Sequence, residues 1–153
     1  MHAGWNLRNN RVAEITSNKA KRIINQAFAK GNEMGFKPLS VIVLDAGGHC
    51  KAFERQDGAA PGRFAVADGK ANAAIQLGMP SSKLMERAEQ QAYFVDALNG
   101  VYGGRIIPVP GGVLVRDKKG NIIGAVGVTG DSSENDVIAA VAGIEAAGLS
   151  AEA

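Results

Sequence analysis

Apolar residues recur at helical spacing between Thr16 and Gly35, where Ile15, Ile23, Ile24, Ala27 and Phe28 share one face and Lys19, Lys21, Arg22 and Lys30 lie largely off it. Thr16 or Ser17 supplies the N-cap, Gly31 or Gly35 the stop, and Pro38 bars continuation. The period then changes. Leu39-Ser40-Val41-Ile42-Val43-Leu44-Asp45 is β-branched and almost continuously apolar, which predicts a strand covered on at least one face. Ala46-Gly47-Gly48-His49 reads as a hairpin turn and Cys50 to Gln56 as the returning strand.

Asp57-Gly58-Ala59-Ala60-Pro61-Gly62 is loop chemistry, and Pro61 suits the first turn of a helix that runs from about Arg63 to Leu77, closed by Gly78. Met79-Pro80 breaks the chain, and Ser81 or Ser82 caps a third helix that carries Leu84, Ala88, Val95 and Leu98 to Gly100. Tyr102 to Gly112 holds a short apolar run and two prolines without a donor N–H, so it is either an edge strand or an extended loop. Val113–Asp117 and Ile122–Val128 flank Lys118-Lys119-Gly120-Asn121 as a clear hairpin. Gly124 and Gly127 there predict a bulge or a close neighbour. Ser133-Glu134-Asn135-Asp136 resembles a capping box and opens a last helix ending at Gly148, with Asp131 or Ser133 as its cap. The order αββααβββα, with hairpins and no long crossovers, predicts one α+β domain with helices packed on an antiparallel sheet.

Composition narrows the function classes. The chain has 153 residues, 46% hydrophobic and 21% charged, as in a soluble globular domain. Its purest apolar stretch, Leu39–Leu44, is far short of the ~20 residues that cross a bilayer, so no membrane partner is expected. Lys and Arg exceed Asp and Glu by only 17 to 15, and aromatics are 5%, which argues against nucleic-acid binding. One cysteine excludes an internal disulfide, and the first residues show no apolar export segment, so the expected location is cytoplasmic. Walker, nucleophile-elbow, His-Glu-x-x-His and dinucleotide-binding patterns are absent.

The candidate chemistry is therefore scattered. His49 follows a Gly-Gly turn, where a rigid scaffold presents side chains; it reads as a general base, a haem axial ligand, or an exposed turn residue. Lys70 sits in an apolar arc with Val66, Ala73, Ala74 and Leu77, opposite Asp68, Asn72 and Gln76. It is a snorkelling stem, a structural ion pair or an anchor for an anion. Glu54 shares a strand face with Cys50 and Ala52, so an inward small-residue face would bury it and raise its pKa. Arg55 lies on the other face with Lys51 and Phe53. Arg105, after Gly103-Gly104, is a carboxylate clamp, and Gly111-Gly112 amides are oxyanion donors. Cys50, without an evident base, reads as a small buried hydrophobe.

Taken in order, Val43–His49, Phe53–Ala59, Lys70-Ala71, Gly103-Gly104-Arg105, Pro110–Val113 and Gly124–Gly130 resemble the GlcG/HbpS family, also called the haem-degrading domain family. The resemblance covers about residues 16–149, leaving 1–15, with His2, and 150–153 as tails. It implies a profilin-like or Roadblock-like fold and a homo-oligomer. Some members bind haem and others are encoded beside glycolate, glycerol or propanediol catabolism. One reading is thus a binding protein for haem or a similar anionic ligand, with His49 near iron and Arg55, Lys70 or Arg105 on the propionates. The alternative is a cofactor-independent isomerase, tautomerase or hydratase acting on a small carboxylate or keto acid, with Lys70 or Arg105 holding the acid and Glu54 or His49 moving the proton.

Overall fold

The Thr16 hydroxyl accepts a hydrogen bond from the Lys19 N–H at 3.2 Å, and a left-handed Gly35 closes the far end, so helix α1 (Ser17–Met34) starts and stops on its own capping residues. The structure, a computed structural model, describes residues 13–153; His2 and the first twelve residues of the expected tail lie outside the described residues. After α1 come β1 (Ser40–Asp45), β2 (Cys50–Arg55), α2 (Arg63–Leu77), α3 (Ser81–Gln90), α4 (Ala92–Val101), β3 (Gly112–Arg116), β4 (Ile122–Thr129), α5 (Ser133–Ala146) and β5 (Ser150–Glu152). The strands form one sheet in the order β2-β1-β4-β3-β5, every neighbouring pair antiparallel. The fold is α+β, as the hydrophobic pattern predicts.

Both faces of β1 are covered, which explains its unbroken apolarity. Val41 and Val43 point with Val126, Val128, Val113 and Val115 into a core shared with Ile23, Ile24 and Ala27 of α1 and Ala140 and Ile144 of α5. Ile42 and Leu44 point the other way and pack with Leu114 and Ala125 under Ala67, Ala71 and Ala74 of α2. The helix lies directly on the sheet: a Cβ on Gly127 would stand 2.1 Å from the Ala67 carbonyl oxygen. The close neighbour expected at that glycine is the backbone of α2. Helices α3 and α4 cover the far side of α2 through Ala73, Leu84, Val95, Leu98 and Ile106.

Three local details differ from the sequence reading, and one alternative left open in it is resolved. The third predicted helix is two helices, broken at Gln91, whose φ of −139° and ψ of 62° leave the helical region. Residues 102–111 take the extended-loop alternative; Ile107 donates to the Gly69 carbonyl at 3.1 Å, which lays the proline-bearing loop along α2. The last helix is capped by Ser132, which accepts from the Asn135 N–H at 3.2 Å, and not by Asp131 or Ser133. Residues 150–152, within the stretch read as a tail, pair with β3 as strand β5, and Arg116 clips Glu152 at 2.8 Å.

A β-bulge in β2 has the larger consequence. Val43 faces Ala52 but Leu44 faces Cys50, which leaves Lys51 as the extra residue. The extra residue turns Cys50 to the Leu44 side of the sheet, toward α2, and away from the face of Ala52 and Glu54. Cys50 is exposed, not a buried hydrophobe, because β2 is the outermost strand.

Candidate functional site

The turn joining β1 to β2 is held from within. The Asp45 carboxylate accepts the Gly47 and His49 N–H groups at 2.9 and 3.0 Å, and the Asp45 N–H bonds the His49 carbonyl at 2.9 Å. Gly48 takes a φ of 82°, and a Cβ there would lie 2.6 Å from Gln76 Nε2 and 3.1 Å from Asn72 Oδ1. Only a residue without a side chain lets the turn press against α2 in this conformation. His49 itself is exposed. With Glu14, Ile15, Asp45, Ala46, Gly47 and Lys51 it lines a cleft of about 230 Å³.

On the α2 side, Asp68, Asn72 and Gln76 follow one another at intervals of four residues and form a polar stripe facing the turn. Arg105 docks onto it: Nε reaches Asp68 Oδ2 at 2.7 Å, Nη2 reaches Oδ1 at 2.9 Å, and Nη2 also donates to the Gly48 carbonyl at 3.1 Å. Asn72 Nδ2 returns a bond to the Arg105 carbonyl at 3.0 Å. The guanidinium therefore sits beside the residue preceding His49, fixed by a bidentate carboxylate pair. Partial burial, and secondarily the Asp68 charge, push the Cys50 thiol up from its ordinary range. The stripe was visible on the helical wheel as the face opposite Lys70; that Arg105 is its partner was not.

The other candidates lie elsewhere. Glu54 and Arg55 are at the far end of β2, roughly 17–20 Å from His49 at the usual strand rise of about 3.3 Å per residue. Together with Phe28, Asn32, Phe36, Pro38, Gln56 and Asp57 they line an open groove of about 520 Å³. Glu54 is exposed, so the condition under which it would be buried is not met: its face of the edge strand is only half covered. Lys70 is buried as an ion pair, its ammonium 3.0 Å from Asp136 Oδ2 and 3.1 Å from the Val128 carbonyl. Val128 pairs with Val41, at the end of β1 away from the turn. Burial pushes the Asp136 carboxyl up, against the opposing pull of Lys70 and of the Asp131 N–H that it accepts.

The Gly112 N–H, read as an oxyanion donor, is already given to the Ser81 hydroxyl at 2.8 Å. Gly111 and Gly112 are buried, and a Cβ on Gly112 would stand 2.1 Å from the Lys70 carbonyl oxygen; their glycines serve close packing. His49, Glu54 and Lys70, the set that proton transfer would need around one substrate, occupy three separate places. His49 and Arg105 are the two candidates that the fold brings to one end of the sheet. Among the described residues, no helix is long and apolar enough to cross a membrane.

Comparison with known proteins places this geometry among relatives. The model of the family described as haem degrading protein HbpS-like matches residues 15–145. Among solved structures, HbpS of Streptomyces reticuli, in a double-mutant form, is 27% identical, with a TM-score of 0.76 over 95% of this chain and 94% of that one. Klebsiella pneumoniae ORFY is 24% identical, with a TM-score of 0.81 over 92% and 95% of the two chains. PduOC, solved as a complex with haem, is 20% identical, with a TM-score of 0.81 over 92% and 100%. The last two likenesses carry the fold alone. No curated protein matches the chain.

Proposed function

The chain belongs to the HbpS-like family of haem-degrading proteins, and from that premise we propose that it binds haem, or a similar flat anionic ligand, against the β1–β2 turn. The family match over residues 15–145 carries the reading. The donor set at the turn supports it: an exposed imidazole on a braced loop, with the Lys51 ammonium lining the same cleft. An imidazole is a usual axial ligand of haem iron, and cations beside it suit propionates. His49 is the iron ligand in this reading, Lys51 a propionate partner, and Arg105 the group that keeps the turn pressed on α2. Lys70, already spent on Asp136 and the Val128 carbonyl, and Arg55, at the other end of β2, take no part in this reading. Bound haem would supply one-electron chemistry at its iron.

The cleft of about 230 Å³ falls below the roughly 300–1,000 Å³ usual for enclosed ligands. One chain offers a single wall. A homo-oligomer, in which a second copy closes the other side, completes the site in this proposal. The cytoplasm is its setting, where a lone exposed thiol such as Cys50 stays reduced.

Haemin titration of the purified protein, followed by absorbance, tests the reading. Saturable, stoichiometric uptake with a Soret band that His49→Ala shifts or weakens is the expected result. A band unchanged in His49→Ala removes His49 from the site, and non-saturable uptake overturns haem binding itself.

A further inference from the structure

We propose that the opposite end of the sheet, beneath the first turn of α2, is a binding site for a small carboxylate with an apolar body, built from Ser40, Arg55, Arg63 and Thr129. The strand register makes the first half of it. Ser40 faces Arg55 on one side and Thr129 on the other, so the three residues form a row across β2, β1 and β4. Directly opposed residues of antiparallel strands project to the same face. Ile42 and Leu44, two and four residues along β1 from Ser40, belong to the core under α2, so the row faces α2.

Helix α2 supplies the second half. Arg63, its first residue, donates from Nη1 to Thr129 Oγ1 at 2.8 Å, which sets the helix start over this row. The helix makes no side-chain cap bond and carries no acidic residue in its first turn, so its positive end is left without a counter-charge from its own sequence. The observation that points to a ligand is Ser40. Its hydroxyl is wholly buried and has no hydrogen-bond partner, although hydroxyls stand at such positions when something receives their proton.

The chemistry of the row selects the ligand. Two guanidinium groups and an unspent O–H donor suit an oxyanion, and guanidinium forks match the planar spacing of a carboxylate. Phe64 is 45% exposed and meets Phe53 edge to face at 4.8 Å, an aromatic ledge next to Arg63 for the apolar part of the ligand. Glu54, the nearest acid along β2, pairs with Val41 and belongs to the opposite face. Arg55 is exposed on the edge strand, where it also lines the groove with Phe28 and Glu54, Arg63 is half-buried and Ser40 is wholly buried. On binding, the Arg63 guanidinium swings from Thr129 to the carboxylate and the Ser40 O–H donates to one of its oxygens. The site is independent of the His49 turn, which lies at the other end of β1.

Titration of the haem-free full chain with sodium benzoate, read by amide chemical shifts, tests this. Saturable shifts at Ser40, Arg63, Phe64 and Thr129 are expected, with affinity at least fivefold weaker in both Ser40→Ala and Arg63→Met. Ser40→Ala is the safer variant, since it removes an unsatisfied group and keeps the fold. Absence of saturable shifts, or equal affinity in both variants, overturns the site and leaves Ser40 as an orphan hydroxyl or the partner of a buried water. A parallel titration with inorganic phosphate separates the oxyanions; saturation by phosphate without benzoate overturns the carboxylate assignment.

Discussion

The Lys70 ammonium stands 3.0 Å from the Asp136 carboxylate with 3% and 2% of the two side chains exposed, so helices α2 and α5 are tied by an ion pair sealed from water beside the Val128 carbonyl. Each partner is tolerable only because the other is present.

Removing one partner should therefore be much worse than removing both. Lys70→Met or Asp136→Asn is expected to cost about 3–5 kcal/mol in urea unfolding, and Lys70→Met with Asp136→Leu to recover most of that loss. Additive losses in the double variant would show that the two groups act separately.

Two glycines should respond in opposite directions to the same methyl group. Gly127→Ala drives a Cβ into the Ala67 carbonyl and is expected to cost about 3 kcal/mol or more, since backbone is what must move. Gly100, within α4, has open space around it, and Gly100→Ala should stabilise by about 1 kcal/mol. Thermal unfolding of the two variants beside the parent checks both.

Asp131 gives the protein a defined acid limb. Its carboxylate accepts N–H groups from Lys37, Ser132 and the Asn135 side chain at 2.8, 2.8 and 2.7 Å, which hold its pKa at about 2 against an ordinary 3.8. The folded form is the weaker proton binder, so the stability this group contributes is fully present above pH 3.8 and disappears as pH falls toward 2. Carboxyl NMR should place its midpoint near 2, and Asp131→Asn should flatten the loss of stability across that interval.

Cys50 should be a slow nucleophile for an exposed cysteine. With its thiol pushed up by partial burial and by Asp68, alkylation by iodoacetamide at about pH 8 should run slower than for a free thiol. Asp68→Asn removes the negative charge and frees Arg105, and should speed the reaction by roughly two- to threefold. An unchanged rate would mean that burial alone sets the thiol.

The parts of the fold legible in the sequence are those written in local chemistry. Thr16 with Gly35, Gly78 after Leu77, and the turn between Val115 and Ile122 mark their elements because caps and turns act over a few residues. The break at Gln91 carries no glycine or proline, and the helical pattern runs through it, so only packing reveals it. The bulge at Lys51 depends on how β2 meets β1, and it reversed the face assigned to Cys50. The site was legible in its pieces, with His49, Arg105 and the Asp68, Asn72, Gln76 stripe all apparent, but not in its assembly. Arg105 reaches Asp68 across 37 positions, a distance that only the tertiary fold closes. Ser40 offered no sign at all, because a serine in an apolar run reads as tolerated polarity until its missing partner is seen.

The extra residue at Lys51 also governs what the outer rim of the sheet cannot do. A strand recruits another by offering a straight, evenly spaced row of donors and acceptors, and runaway recruitment is how chains build fibrils. In β2 that row is bent at Lys51 and flanked by the charges of Glu54 and Arg55. The rim is a poor template for strand addition, so any meeting of two copies along β2 would have to use side chains and not a shared ladder.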